Sequence, residues 1–113
     1  RAIVVTTPHV SAIHDARRCD KGLLDSAHLD DISVIVNAYD KHMVRRHQMI
    51  SDNDITALLS TRIIGTIPYD KSVIICQNRG IPVREAKSRL GPVFARISGQ
   101  IINFSDDMRG AAV

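Results

Sequence analysis

Two short stretches carry side chains suited to holding a purine base. Asn37 closes the β-branched run Ile32-Ser33-Val34-Ile35-Val36. Its amide sets a donor beside an acceptor, the complement of the N6/N7 edge of adenine. Pro68, Tyr69 and Asp70 follow a second apolar run containing Ile63, Ile64 and Ile67. A proline-led loop offers backbone carbonyls and a flat apolar face to the same ring, while Asp70 is placed to cap the amides of a following helix. The structural alternative is that Asn37 merely closes a turn and Pro68 merely breaks a strand.

Other chemistries lack their residues. No GxxxxGK[ST] occurs, and neither Lys71-Ser72 nor Lys87-Ser88 is approached by a glycine-rich turn. Phosphoryl transfer depends on such a loop for positioning and charge neutralisation, so the chain alone is expected not to hydrolyse ATP, and no catalytic residue is assigned. Of the histidines His9, His14, His28, His42 and His47, the last two are off the i, i+4 register of a helical zinc pair, and no metal site is assigned. No GxSxG marks a serine nucleophile.

The elements that must position Asn37 and Pro68 read as α/β. Ala2 to Thr7, Ile32 to Asn37 and Ile63 to Ile67 are apolar or β-branched runs without clean alternation, as in parallel strands covered on both faces. Asn37 and the Pro68 loop then fall at carboxyl ends of strands, where ligands sit in open parallel sheets. Between the strands lie a helical segment from Val10 to Leu24 with Ser11 available as its cap, a loop rich in cations at Lys41, Arg45 and Arg46, and a short helix led by the capping-box pattern Ser51 to Asp54. After Pro68, Gly80 and Pro82 end a short helix, and Ser88 to Ile102 is amphipathic. The expected fold is a three-layer parallel sheet with flanking helices over residues 1–105 and a disordered tail at 106–113. Three parallel strands are few, so one long edge is expected to lack its normal neighbour, as in half of a larger domain.

Composition agrees with one aliphatic-cored globular domain of 113 residues, 44% apolar and 24% charged. Only two Phe, two Tyr and no Trp are present, which argues against base-stacking nucleic-acid modules. The formal charge of +3 comes from 15 Lys and Arg against 12 acids, a mixed surface that does not by itself call for a polyanionic partner. Cys19 and Cys76 have no metal-type spacing and are expected to be reduced thiols in a cytoplasmic protein. No apolar run reaches the roughly 18 residues that span a bilayer. The chain opens on Arg1 and enters a strand at once, which leads us to expect further sequence upstream.

Three blocks in one colinear order, IVVTTPHVSAIHDARR, VIVNAYDKHMVRRHQMISDNDI and RIIGTIPYDKSVIICQNRGIPV, resemble the carboxyl-terminal half of the MinD family of septum-site-determining ATPases. That family lies in the deviant Walker A (SIMIBI) group of P-loop NTPases, alongside ParA-type partition proteins. The stretch Met49-Ile50-Ser51-Asp52-Asn53-Asp54 favours MinD over the ParA relatives. The resemblance implies an ATPase of the cell cycle that dimerises on ATP, attaches peripherally to the inner membrane through a carboxyl-terminal amphipathic helix, recruits MinC and is released by MinE. It assigns adenine recognition to Asn37 and the base-flanking loop to Pro68, Tyr69 and Asp70, and it places Ser11 and Asp15 on the helix that meets MinC and MinE. ATP and Mg2+ would be held through an amino-terminal half not contained in these residues. The site would be cytoplasmic, at the inner membrane, or in a plastid stroma.

This sequence departs from the family at His9, where glutamate is usual, at His14 for arginine, at Arg17 for aspartate, and at Tyr69, where an acid is usual. Asp20 and Lys21 stand where the family helix is apolar or small, and no convincing membrane helix closes the chain. Two alternatives stay open: a ParA-type DNA-partition relative, and a non-enzymatic interaction module using the sheet edge or the Val10 to Leu24 helix.

Overall fold

A computed structural model of the chain describes residues 1–27, 31–83 and 89–111, with side chains to Ile102. The elements in order are β1 (Ala2–Thr6), α1 (Val10–Ser26), β2 (Ile32–Tyr39), α2 (Lys41–Arg45), α3 (Asp52–Leu59), β3 (Arg62–Pro68), α4 (Ser72–Arg79) and α5 (Leu90–Ala111). They fall into two compact units, Arg1–Tyr69 and Asp70–Val113.

In the first unit the strands form a parallel sheet in the order β1-β2-β3, with helices in the connections, which is the expected α/β architecture. The pleat sorts the side chains. Val4, Val34 and Ile63 are register partners across the three strands, and all three belong to or pack against one core. Ile13 and Ala16 of α1 and Ile55 and Leu59 of α3 close over that same face with Val36 and Tyr39. Ile13 and Ala16 are a helical turn apart, as are Ile55 and Leu59, so each helix turns a single stripe inward. On the opposite side of β1, Ile3 and Val5 are exposed, at 37% and 61%. Among the described residues β1 pairs only with β2, so its outer edge is the open edge expected of a partial sheet.

Both junctions of β2 with β3 are irregular. Ile64 is an extra residue on β3, because Val34 pairs with Ile63 while Ile35 pairs with Gly65. Further along, Val36 pairs with Thr66 and Tyr39 with Pro68, so β2 carries one residue more than its partner over that step. Such a bulge turns later side chains over, and it is what returns Tyr39 to the core face shared by Val34 and Val36. Two expectations are corrected here. β2 does not end at Asn37 but runs to Tyr39, since the bulge lets the ladder resume. The cation-rich segment is not all loop: Asp40 accepts from the amides of His42 and Met43 and thereby starts the short helix α2.

The other caps divide between expected and unexpected. Ser51 Oγ accepts the Asp54 amide and begins α3 as the capping-box pattern indicated. Ser11, by contrast, caps nothing: α1 begins one residue earlier, at Val10, behind His9, which provides no side-chain cap. In the second unit Gly80, at φ +67°, ends α4, and its amide and that of Ile81 satisfy the carbonyls of Gln77 and Cys76. Cys76, Leu90 and Ile97 are buried. The α5 backbone continues through Ala111, past the end suggested by periodicity at Ile102. The tail expected at 106–113 overlaps its last turns, where side chains lie outside the described part, as do residues 112 and 113, the expected helix start at Ser88, and His28.

Candidate functional site

The bulge fixes how Asn37 is presented. Ala38 adopts φ +59°, and its amide donates to Asn37 Oδ1 at 2.9 Å. This contact engages one lone pair of the oxygen, leaving a second lone pair and both Nδ2 protons for another molecule. Asn37 itself is exposed. Left-handed backbone is costly for alanine, by about 1 kcal/mol, so the side-chain contact helps hold a conformation that local propensity disfavours.

Immediately beyond, the tips of β2 and β3 are tied together. Tyr39 is the register partner of Pro68, and the Tyr69 amide donates to the Tyr39 carbonyl at 2.8 Å. The sheet therefore brings the Asn37 bulge and the Pro68-Tyr69 bend to adjacent positions on one rim. The Tyr69 residue is 47% exposed. Beneath the rim, the buried Tyr39 takes the Asp52 amide on its hydroxyl at 3.3 Å, and the Met49 sulfur accepts from Asp40 N–H at the same distance. The stretch from Met49 to Asp54 that favoured one family branch is thus a scaffold, anchoring the return from the rim to α3. Sequence reasoning missed Tyr39. The signal was an aromatic residue two places after an asparagine, where a strict period of two would have put Ala38 inward.

Asp70 opens the second unit. Its Oδ1 accepts the Ser72 amide at 2.9 Å, and Oδ2 lies 3.7 Å from Arg89 Nε. The carboxyl is held below its ordinary value of 3.8, first by the Ser72 amide and then by the charges of Arg89 and Lys71. The Ser72 hydroxyl oxygen is buried without a hydrogen-bond partner among the described residues, so the amide is the contact that matters. A depressed native value stabilises the fold at pH values above the unfolded-state value, and this stabilisation is lost as pH falls through the native one. The carboxyl carbon resonance of Asp70 should accordingly titrate below pH 3.8. Arg89→Ala should leave most of that displacement in place, because exposed ion pairs contribute little. A titration at the ordinary value in the unaltered chain would contradict this assignment.

On α1, Ser11 and Asp15 are both exposed, and Asp15 pairs with Arg18 one turn on. Asp15 also lines an open concavity of about 400 Å³ between β1 and α1, together with Thr6, Thr7 and Cys19. That concavity is not at the Asn37 rim. His9 Nδ1 lies 2.8 Å from Thr7 Oγ1 beside it. Both cysteines are free thiols, Cys19 exposed and Cys76 buried. Among the described residues no group of three or more His, Cys, Asp or Glu could hold a metal ion, and no helix is long and apolar enough to cross a membrane.

Comparison with known proteins adds an independent line. No protein-family model matches the chain. The septum site-determining protein MinD of Synechocystis is 43% identical over 113 residues, spanning 95% of this chain and 42% of its own length. MinD of Thermotoga maritima is 39% identical over 104 residues, spanning 89% of this chain and 38% of its own. Among solved structures, the MinD cell division protein of Aquifex aeolicus superposes with a TM-score of 0.80 at 33% identity, over 89% of this chain and 43% of that one. The MinC:MinD cell division complex from the same organism gives 0.82 at 34% identity, over 91% and 43%. The chain spans about two fifths of the length of the curated relatives it matches. Sequence and fold agree: this chain belongs to the MinD family, of whose members it spans less than half, in a manner that fits their carboxyl-terminal part.

Proposed function

We propose that the chain supplies the adenine-side wall of an ATP site, together with a partner-facing helix, to a MinD-type ATPase that places the division site. The observation that carries this is the β2 bulge. It holds Asn37 Oδ1 on the Ala38 amide, and the Tyr39–Tyr69 backbone bond keeps the Pro68 bend beside it. An adenine laid on this rim would donate its N6 proton to the free lone pair of Asn37 Oδ1 and accept at N7 from Nδ2. Pro68 and the exposed Tyr69 ring supply apolar surface for its face. Asp70, engaged by Ser72 and Arg89, anchors the exit of the bend.

The triphosphate and Mg2+ find no holder here: the sequence has no glycine-rich lysine loop. They would bind through the further length that relatives possess. The open edge of β1, with Ile3 and Val5 exposed, offers that part a strand to pair with. By the same family membership, α1 presents Ser11 and Asp15 to a partner of MinC or MinE type, within an ATP-dependent homodimer at the inner face of a membrane or in a plastid stroma. The complex of MinC with MinD in Aquifex supports the MinC contact.

The test combines this chain with the separately produced amino-terminal part of the Synechocystis relative and measures ATP binding by calorimetry. Binding is expected only in the mixture, and Asn37→Ala should weaken it about tenfold, the loss of roughly one good hydrogen-bond pair. No binding by the mixture, or full binding by the alanine variant, would refute the adenine-wall assignment.

A further inference from the structure

Strict alternation along β2 would turn Asn37 and Tyr39 to the same face. They part instead: Asn37 is exposed, whereas Tyr39 is buried with Val36, Ile55 and Leu59. Ala38 between them absorbs the difference at φ +59°. Left-handed backbone is disfavoured for alanine about five- to thirtyfold, so it persists only where both flanks are held. One flank is the Asn37 side chain, whose Oδ1 accepts the Ala38 amide. The other is Tyr39, which is fixed at three points. Its ring lies in the core, its carbonyl accepts the Tyr69 amide at 2.8 Å, and its hydroxyl accepts the Asp52 amide at 3.3 Å. Asp52 is the first residue of α3, a helix that already has its cap in Ser51. The hydroxyl contact therefore serves the strand tip more than the helix. The return from the tip is braced as well, since the Asp40 amide donates to the Met49 sulfur and the Gln48 amide to the Met43 carbonyl.

We propose, building on the adenine-wall reading, that Tyr39 is a positioning residue for the nucleotide: its hydroxyl, tethered to the start of α3, holds the Ala38 bulge and with it the outward presentation of Asn37. Being buried, Tyr39 acts through Asn37 and not by touching the base. When the tether is cut, the bulge is free to relax toward ordinary strand backbone, which carries Asn37 away from the rim.

Two substitutions remove the same bond from opposite ends. Tyr39→Phe takes away the acceptor and keeps the ring. Asp52→Pro takes away the donor, and proline suits the first position of a helix, here behind a Ser51 already extended at φ −72° and ψ 158°. Each variant of the full 113-residue chain is mixed with the amino-terminal part of the Synechocystis relative and followed by amide hydrogen exchange and ATP calorimetry. In both variants the Ala38 amide should exchange about threefold faster and ATP should bind about threefold more weakly, the worth of one long neutral hydrogen bond. The Val34 and Val36 amides should exchange as before, and the melting temperature should stay within about 3 °C. The double variant should be no worse than either single one, because both lose one and the same interaction. Unchanged Ala38 exchange in either variant, additive losses in the double variant, or a loss of affinity that tracks a falling melting temperature would overturn the role of Tyr39. Should even the unaltered mixture fail to bind ATP, the adenine-wall reading falls, and the exchange rates alone decide whether Tyr39 holds the bulge.

Discussion

Asp20→Leu should raise the melting temperature of this chain by about 10 °C. Asp20 is 7% exposed and lies on the inward stripe of α1, continuing the line of Ile13 and Ala16. Neither of its carboxylate oxygens has a hydrogen-bond partner among the described residues. A buried polar group left unpaired costs about 1–3 kcal/mol, and more when it carries charge. Replacing it with a side chain that the stripe already favours should therefore return about 2 kcal/mol, and each kcal/mol shifts the midpoint by about 4–8 °C in a domain of this size. Urea titration should show a higher midpoint with an unchanged slope. An equal or lower midpoint for the leucine variant would mean that Asp20 is satisfied in solution in a way the fold does not display.

The second large effect has the opposite sign. Ile55 is fully buried at the centre of the cluster that joins α1, β2 and α3. Ile55→Ala should cost about 2–5 kcal/mol, the transfer energy of the lost methyl groups plus the cavity they leave. Native domains have only about 5–15 kcal/mol in total, so this single change should populate unfolded chain detectably at 37 °C by circular dichroism. Leu58→Ala, one residue before the buried Leu59 and 38% exposed, should cost under about 1 kcal/mol and serves as its internal control.

Most of the architecture was legible because its determinants are local. Three β-branched runs, a proline at the end of the third, a glycine two places before Pro82 and a serine three places before Asp54 each act within a turn, and the strands and caps they indicate are present. What sequence reasoning missed depends on pairing. The extra residue at Asn37-Ala38 is invisible until Tyr39 is seen opposite Pro68, because a bulge is a mismatch between two strands and not a property of either. The start of α2 was missed because five residues, cationic apart from Met43 and Val44, are too few to show an apolar period, and its helix depends on the Asp40 carboxylate. The start of α1 at Val10 was legible, but its cap was not: Ser11 is a good cap former by type, yet it lies inside the helix, behind an N-cap His9 that makes no side-chain hydrogen bond.

Asp20 illustrates a different limit. It stands where the apolar stripe of the helix would continue, and a polar residue there would ordinarily suggest that the helix frays or turns outward. The fold instead keeps the helix intact to Ser26 and buries the carboxylate. Neighbouring apolar positions at Ile13 and Ala16 evidently fix the rotation of α1 more strongly than one unfavourable residue can oppose it.

The central claim is that a bulged strand tip and a proline bend on its neighbour form one adenine-reading rim. Amide spectra of the labelled chain, mixed with the amino-terminal part of the Synechocystis relative and titrated in parallel with adenosine and inosine, test it most directly, since inosine has an acceptor in place of the N6 donor. The account expects adenosine to shift the Asn37 side-chain amide and the backbone amides of Ala38, Tyr39 and Tyr69, with inosine leaving them unmoved. Equal responses to the two nucleosides, or adenosine shifts confined to the concavity between β1 and α1, would contradict it.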